Sequence, residues 1–151
     1  MAFTEYHRGF EDLTVGQEWL SGGRTVTEAD IVTYAGFSGD FNPIHMDAEF
    51  AAGTPFRQRI AHGFAVFCMA SGLGLHSPPM RTLALIGVRD WSFVKPVMIG
   101  DTIRVKSVVK ELIPKGRGRR GEVVWQRAII NQRDEVVQQG VMLTLVETRS
   151  A

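Results

Sequence analysis

The chain has 151 residues, of which 44% are hydrophobic and 22% charged, with a formal net charge of +1. That length fits one domain with a real core, and the balance is the ordinary one for a globular protein. The small net charge excludes a strong pull toward nucleic acid or a membrane surface, and the single cysteine, Cys68, excludes an intrachain disulfide and a cysteine-rich zinc site.

Residues 1–16, MAFTEYHRGFEDLTVG, carry no apolar run of the kind a signal peptide needs. Together with the lone cysteine this sets the expectation of a cytoplasmic protein. The segment reads as an N-terminal arm, tacked down by Phe10 and Leu13, ahead of one domain over 17–151. Gln17–Arg24 reads as a short first strand. Thr27-Glu28-Ala29-Asp30 matches a capping box, and Ile31, Tyr34, Ala35 and Phe37 fall near helical spacing, which predicts a short helix to about Gly36. Asp47–Ala52 reads as another turn or two of helix, broken by Gly53-Thr54-Pro55. The apolar run Phe64–Ala70 has almost no polar face, so a helix from Gly63 to about Gly72–Leu75 is expected to be buried all round. Ser77-Pro78-Pro79 stops it.

The second half is strand-like. Leu83–Val88 is nearly continuously apolar, as in a central strand, and Trp91, Phe93 and Val94 carry it toward Pro96. Asp101–Leu112 alternates, with Ile103, Val105 and Ser107 opposed to Thr102, Arg104 and Lys106. Pro114–Gly121 is a glycine-rich basic turn, and Glu122–Ile130 and Val136–Val146 complete a meander of three long strands. The simplest packing is α+β: one antiparallel sheet wrapped around the buried helix.

The chemistry concentrates between residues 37 and 75. Asn42 precedes Pro43, which pushes it out of the α region, so Asp40 and His45 are expected on an irregular loop with no helix between them. Gly63, at the start of the apolar helix, offers a free backbone N–H at the positive end of the helix dipole. An acid, a base and an oxyanion donor are three parts of one active site. Taken by spacing alone, Asp40 and His45 would be a solvated turn. His62 suits a structural hydrogen bond near the helix start, Ser71 an ordinary small helical residue, and Cys68 packing rather than nucleophilic attack. Asp40, His45, Asp47 and His62 have metal-ligand side chains, but the expected chemistry needs no Lewis acid, so no metal and no other cofactor is expected.

The order of elements, with SGDFNPIH followed by RIAHGFAVFCMASGL and preceded by RTVTEADIV, resembles the MaoC-like hydratases and dehydratases, and within them the (R)-specific enoyl-CoA hydratases. The resemblance runs from about Gly16 to Val146. It implies a single hotdog fold, a side-by-side homodimer with one continuous sheet, and an acyl-CoA or acyl-carrier-protein thioester as substrate. It implies catalytic roles for Asp40 and His45, an oxyanion donor at Gly63, and an acyl pocket bordered by Ser71. Gly74, Asn42 and His62 join Ser71 as candidate substrate contacts. Arg117, Arg119 and Arg120, with Lys115, form either a solvated hairpin or a dock for CoA phosphates. The expected reaction is hydration of a trans-2-enoyl thioester, or the reverse dehydration. A hotdog thioesterase is a rival, disfavoured because Phe64–Leu75 contains no Asp or Glu. A non-catalytic acyl-binding subunit is another, disfavoured because Asp40 and His45 are both present.

Overall fold

A computed structural model describes residues 3–149. The sheet follows from alternation. In β4 (Thr102–Lys115), Ile103, Val105, Ser107 and Val109 are buried while Arg104, Lys106 and Lys110 face solvent, which is the period-two signature of a half-buried strand. β4, β5 (Arg120–Ile130) and β6 (Val136–Glu147) form the expected antiparallel meander. The short β1 (Glu18–Leu20) and β2 (Arg24–Thr25) both pair with β4. The sheet order is β1-β4-β5-β6-β3, with β3 (Thr82–Phe93) antiparallel to β6. The architecture is α+β, an antiparallel sheet folded around one long helix in the hotdog arrangement.

The helices begin where their caps dictate. α1 (Glu28–Ser38) opens with the capping box: the Asp30 N–H donates to Thr27 Oγ1, and the Thr27 N–H donates to the Asp30 carboxylate. It runs past Gly36 to Gly39, which takes the left-handed conformation (φ 78°) that ends a helix cheaply in glycine. The main core cluster joins Val26, Ile31, Ala61, Val66 and Ala70 to Ile103, Val105, Ile129 and Val137 of the sheet. A second cluster gathers Leu13, Met80, Val109, Val123, Trp125, Met142 and Val146, with Phe10 against it. Each large aliphatic or aromatic side chain so buried is worth about 1.5–3 kcal/mol. Among the described residues no helix is long and apolar enough to cross a membrane.

Three expectations need correction. Leu83–Val88 does not lie in a central strand: β3 is an edge strand, and Leu83, Leu85, Ile86 and Val88 are exposed. The meander therefore has a fourth long strand beside it. α4 (Gly63–Leu75) is not buried all round. Ala65, Val66, Ala70 and Gly74 are buried, but Phe64, Cys68, Gly72 and Leu75 form an exposed stripe, so Cys68 is not a packing residue. The apolar face of one chain exceeds what that chain's own sheet can cover. Finally, the first strand is split in two by Ser21–Gly23.

Candidate active site

His45 is not on an irregular loop. Pro43 takes the first position of a one-turn helix, α2 (Pro43–Met46), where its fixed φ is already helical and its missing N–H is not needed. Asn42 is the N-cap: its side-chain oxygen accepts from the Ile44 N–H at 3.1 Å. The side-chain oxygen of Asn42 is thus engaged in shaping the turn. The Asp40 carboxylate accepts from the Asn42 N–H at 3.2 Å, an Asx turn that fixes the acid just ahead of the helix carrying the base. Asp47 caps α3 (Ala48–Ala52), the expected second turn of helix.

Asp40 Oδ2 and His45 Nε2 lie 4.0 Å apart, with side-chain exposures of 50% and 12%. That is too long for a direct hydrogen bond and suits one water bonded to both. The tautomer follows from the other ring nitrogen. His45 Nδ1 lies 2.8 Å from the Ile60 carbonyl, which can only accept, so Nδ1 carries the proton. In the neutral ring, Nε2 then presents a lone pair toward Asp40.

His62 builds the site from beneath. Its side chain is buried, its Nε2–H donates to the Asp40 carbonyl at 2.9 Å, and its ring stacks on His45 at 3.8 Å between centroids. Tyr34 packs on it at 4.9 Å. Burial raises the Tyr34 hydroxyl above its ordinary pKa, and the nearby Cys68 and Asp40 add to the shift. His62 thus braces the Asp40 backbone and the His45 ring from outside the lining of the adjacent cleft.

Gly63 begins α4, and among the described residues no acceptor meets its N–H. A Cβ there would sit 2.8 Å from the Phe93 ring and would have to displace it. Its carbonyl is clamped by Gln138, buried to 2% exposure, whose Nε2–H donates at 2.8 Å while its Oε1 accepts from Trp91 Nε1 at 3.0 Å. Gln138 was missed in the sequence. Its one signal is a polar residue beside Val137 at the start of a strand that buries mostly apolar side chains. His45, Gly63, Val66, Phe93, Val97 and Gln138 line a cleft of about 440 Å³. Asp40, His45 and His62 place ligand atoms within 4.8 Å of one another. The Nε2–H of His62 and the Nδ1–H of His45 are given to carbonyls, so the ligand atoms that remain are the Asp40 carboxylate, His45 Nε2 and the buried Nδ1 of His62.

The other sequence candidates lie elsewhere. Ser71 and Gly74 line a second cavity of about 290 Å³ at the far end of α4. The Ser71 hydroxyl donates to the Cys68 carbonyl within the helix. Gly74 is neither a left-handed cap nor open space: α4 continues to Leu75, and a Cβ at Gly74 would meet Arg127 Nη1 at 2.5 Å. Arg117, Arg119 and Arg120 sit at the β4–β5 hairpin, with Arg117 in the left-handed region (φ 56°). Arg120 is at one end of β5 and Ile129, opposite Gln138, at the other. At about 3.3 Å per residue the basic hairpin is roughly 30 Å from the cleft of its own protomer.

The base and the N-terminus of α4 thus line one cleft, with the acid 4.0 Å from the base. The MaoC like domain matches residues 12–130. The chain belongs to the MaoC-like dehydratase family. As a member it is 41% identical over 113 residues to 3-hydroxybutyryl-CoA dehydratase of Methylorubrum extorquens, covering 74% of this chain and 69% of that protein. It is 36% identical over 107 residues to the (R)-specific enoyl-CoA hydratase of Rhodospirillum rubrum, covering 70% and 72%. With protein MaoC of Klebsiella aerogenes the identity is 37% over 105 residues, which is 70% of this chain but only 31% of that protein. The solved MaoC-like dehydratase of Rhodospirillum rubrum superposes with a TM-score of 0.84 at 30% identity, covering 93% of this chain and 97% of that one.

Proposed function

We propose that this MaoC-like protein is a hydro-lyase that adds water to trans-2-enoyl thioesters to give (R)-3-hydroxyacyl thioesters, and runs the reverse dehydration. The observation that carries the reading is the Asp40–His45 pair, 4.0 Å apart, with His45 lining the same cleft as the unengaged Gly63 N–H. A water between the pair donates one hydrogen to His45 Nε2 and the other to Asp40. Its oxygen attacks the β-carbon as the pair takes up one proton. Charge moves onto the thioester oxygen, where the Gly63 N–H and the positive end of α4 stabilise the enolate. The proton held by the pair returns to the α-carbon, so one water is consumed and both groups are restored. Removing one such oxyanion donor costs about 2.7–4 kcal/mol where it has been measured, and general acid–base help is worth roughly 10²–10⁴-fold.

Two names among the relatives support the substrate class: a 3-hydroxybutyryl-CoA dehydratase and an (R)-specific enoyl-CoA hydratase. The working form in this reading is a homodimer. β3 leaves an unpaired edge lined by Leu83, Leu85, Ile86 and Val88, and Phe64 and Phe93 are exposed beside it. An edge of that length and polarity invites a second copy. The test is hydration of crotonyl-CoA followed at the enoyl-thioester absorbance, with chiral analysis of the product. Formation of the (R)-hydroxyacyl thioester supports the reading, and absence of hydration rejects it.

A further inference from the structure

Arg127 is an arginine where the alternation calls for a hydrophobe. Val123, Trp125, Arg127 and Ile129 share one face of β5, and Val123, Trp125 and Ile129 are core residues. Arg127 is 7% exposed. Its guanidinium has poor partners: Nη2–H donates to the Gly74 carbonyl at 3.4 Å, Nη1–H points to Met142 sulfur at 3.6 Å, and Nε–H has none. The Trp125 ring lies 5.6 Å from its central carbon. Among the described residues no carboxylate pairs with it, while Arg24, Arg59, Arg81, Arg133 and Arg149 all have one. A buried charge without a counter-charge is costly, and the same volume of apolar side chain would be cheaper. Burial pulls its pKa down to about 10.

The charge borders a built space. Arg127 lines the cavity of about 290 Å³ at the far end of α4, with Ser71, Gly74, Leu85, Met142 and Thr144. Gly74 leaves room for the guanidinium, since a Cβ there would lie 2.5 Å from Nη1. The cavity wall is otherwise mostly apolar, as an acyl pocket would be.

We propose that Arg127 makes this cavity an anion-reading acyl subsite, and that the preferred substrates are enoyl thioesters whose acyl group carries a carboxylate. This rests on the hydratase reading above and names its substrate class. The geometry of the assembly supplies the path. α4 and β3 run in opposite directions: Gly63 lies beside Phe93, and Gly74 and Leu75 share a cavity with Thr82 and Leu85. Within one protomer Gly63 and Gly74 are about 16 Å apart along the helix. A two-fold axis through the free edge of β3 pairs two copies antiparallel. It brings the Phe93 end of one copy, with its catalytic cleft, to the Thr82 end of the other, with its Arg127 cavity. The thioester then sits against one protomer and the acyl carboxylate reaches the arginine of its partner, whose planar fork suits a carboxylate.

The test is calorimetric binding to the full-length protein of succinyl-, glutaryl- and adipyl-CoA, each against its neutral counterpart butyryl-, valeryl- or hexanoyl-CoA. At one or more lengths the charged ligand should bind about 10- to 100-fold tighter, the range of one hydrogen bond to a charged group. Arg127→Met should abolish that preference and Arg127→Lys should keep part of it. Equal binding of charged and neutral ligands by the unsubstituted protein at every length would overturn the proposal, and this comparison needs no variant to fold. Survival of the preference in Arg127→Met would overturn it equally. Crotonyl-CoA hydration, measured separately, keeps the two readings apart. A charge preference without hydration leaves the anion subsite standing and removes the hydratase. Hydration without a charge preference does the reverse.

Discussion

His62 donates its Nε2–H to the backbone carbonyl of Asp40 at 2.9 Å while its ring lies stacked on His45. One buried side chain therefore sets the position of both members of the pair. His62→Phe keeps a ring in the stack and deletes the hydrogen bond. It should lower kcat about tenfold or more with little change in KM, because misplacing the pair weakens the transition state more than substrate binding. A folded His62→Phe protein with unchanged kcat would remove His62 from the positioning role.

Gln138 holds the first turn of α4 in place by donating to the Gly63 carbonyl at 2.8 Å. Gln138→Leu removes the side-chain donor to that carbonyl, which keeps its helical partner, and leaves the Trp91 Nε1–H without one, at about 1–3 kcal/mol for a group left unpaired. The expected outcome is a lower Tm together with a loss of kcat, since the oxyanion donor shares the loosened turn. Thermal melts and steady-state kinetics on the same preparation test this. A fall in Tm with kcat intact would separate the clamp from the catalysis.

Gly74 and Arg127 should behave as a coupled pair. Gly74→Leu places side-chain atoms where Arg127 Nη1 now lies, so it should destabilise the protein and narrow the far cavity. Arg127→Met alone should be neutral or stabilising, because it replaces an unpaired buried charge by a flexible apolar side chain. The double variant should recover part of the stability lost by Gly74→Leu, a non-additivity expected of residues in contact. Strict additivity in denaturant titrations would contradict the contact.

Glu135 predicts an acid limb of stability. Hydrogen bonds from Asn131, Lys95 and Arg133 draw its pKa down from the ordinary 4.5 to about 2. A carboxyl depressed in the folded state stabilises fully above its unfolded value and loses that contribution as pH falls. The contribution of Glu135 should thus be complete above about pH 4.5 and fade toward pH 2. Glu135→Gln should flatten that part of a Tm-against-pH curve and leave the neutral-to-alkaline part parallel to the unsubstituted protein. Identical acid limbs would contradict the assignment.

The edge of β3 makes a prediction about assembly. Light scattering should give twice the chain's 16.8 kDa at micromolar concentration. Ile86→Lys, which puts a charge on the exposed apolar edge, should shift the mass toward one chain and lower the activity with it. A monomeric and fully active unsubstituted protein would contradict the dimer.

Much of the fold was legible because it rests on local signals. The capping box of Thr27 and Asp30, the alternation from Ile103 to Ser107, and the Pro78-Pro79 stop after α4 each act within a few residues. The single turn around His45 was missed because the restriction on Asn42 was read as excluding helix, whereas Asn42 is the cap and the helix starts after it. The exposure of β3 and of the Phe64–Leu75 stripe was not legible, since apolar residues look alike whether a core or a second copy covers them. The pairing of Asp40 with His45 could be read from one loop. The Ile60 carbonyl that fixes the tautomer, and the roles of Gln138 and Arg127, depend on contacts between distant segments. Arg127 did leave a trace, as the one charge on the inward face of β5.

The central claim is that Asp40 and His45 act as a unit on one water. The measurement that tests it most directly is kcat for crotonyl-CoA hydration by Asp40→Asn, His45→Ala and the double variant, each shown to be folded. Each single substitution should cost at least about 10²-fold, the scale of general acid–base catalysis, and the double variant should be little worse than the poorer single one. Near-full activity in either single variant, or losses that simply multiply, would contradict the account.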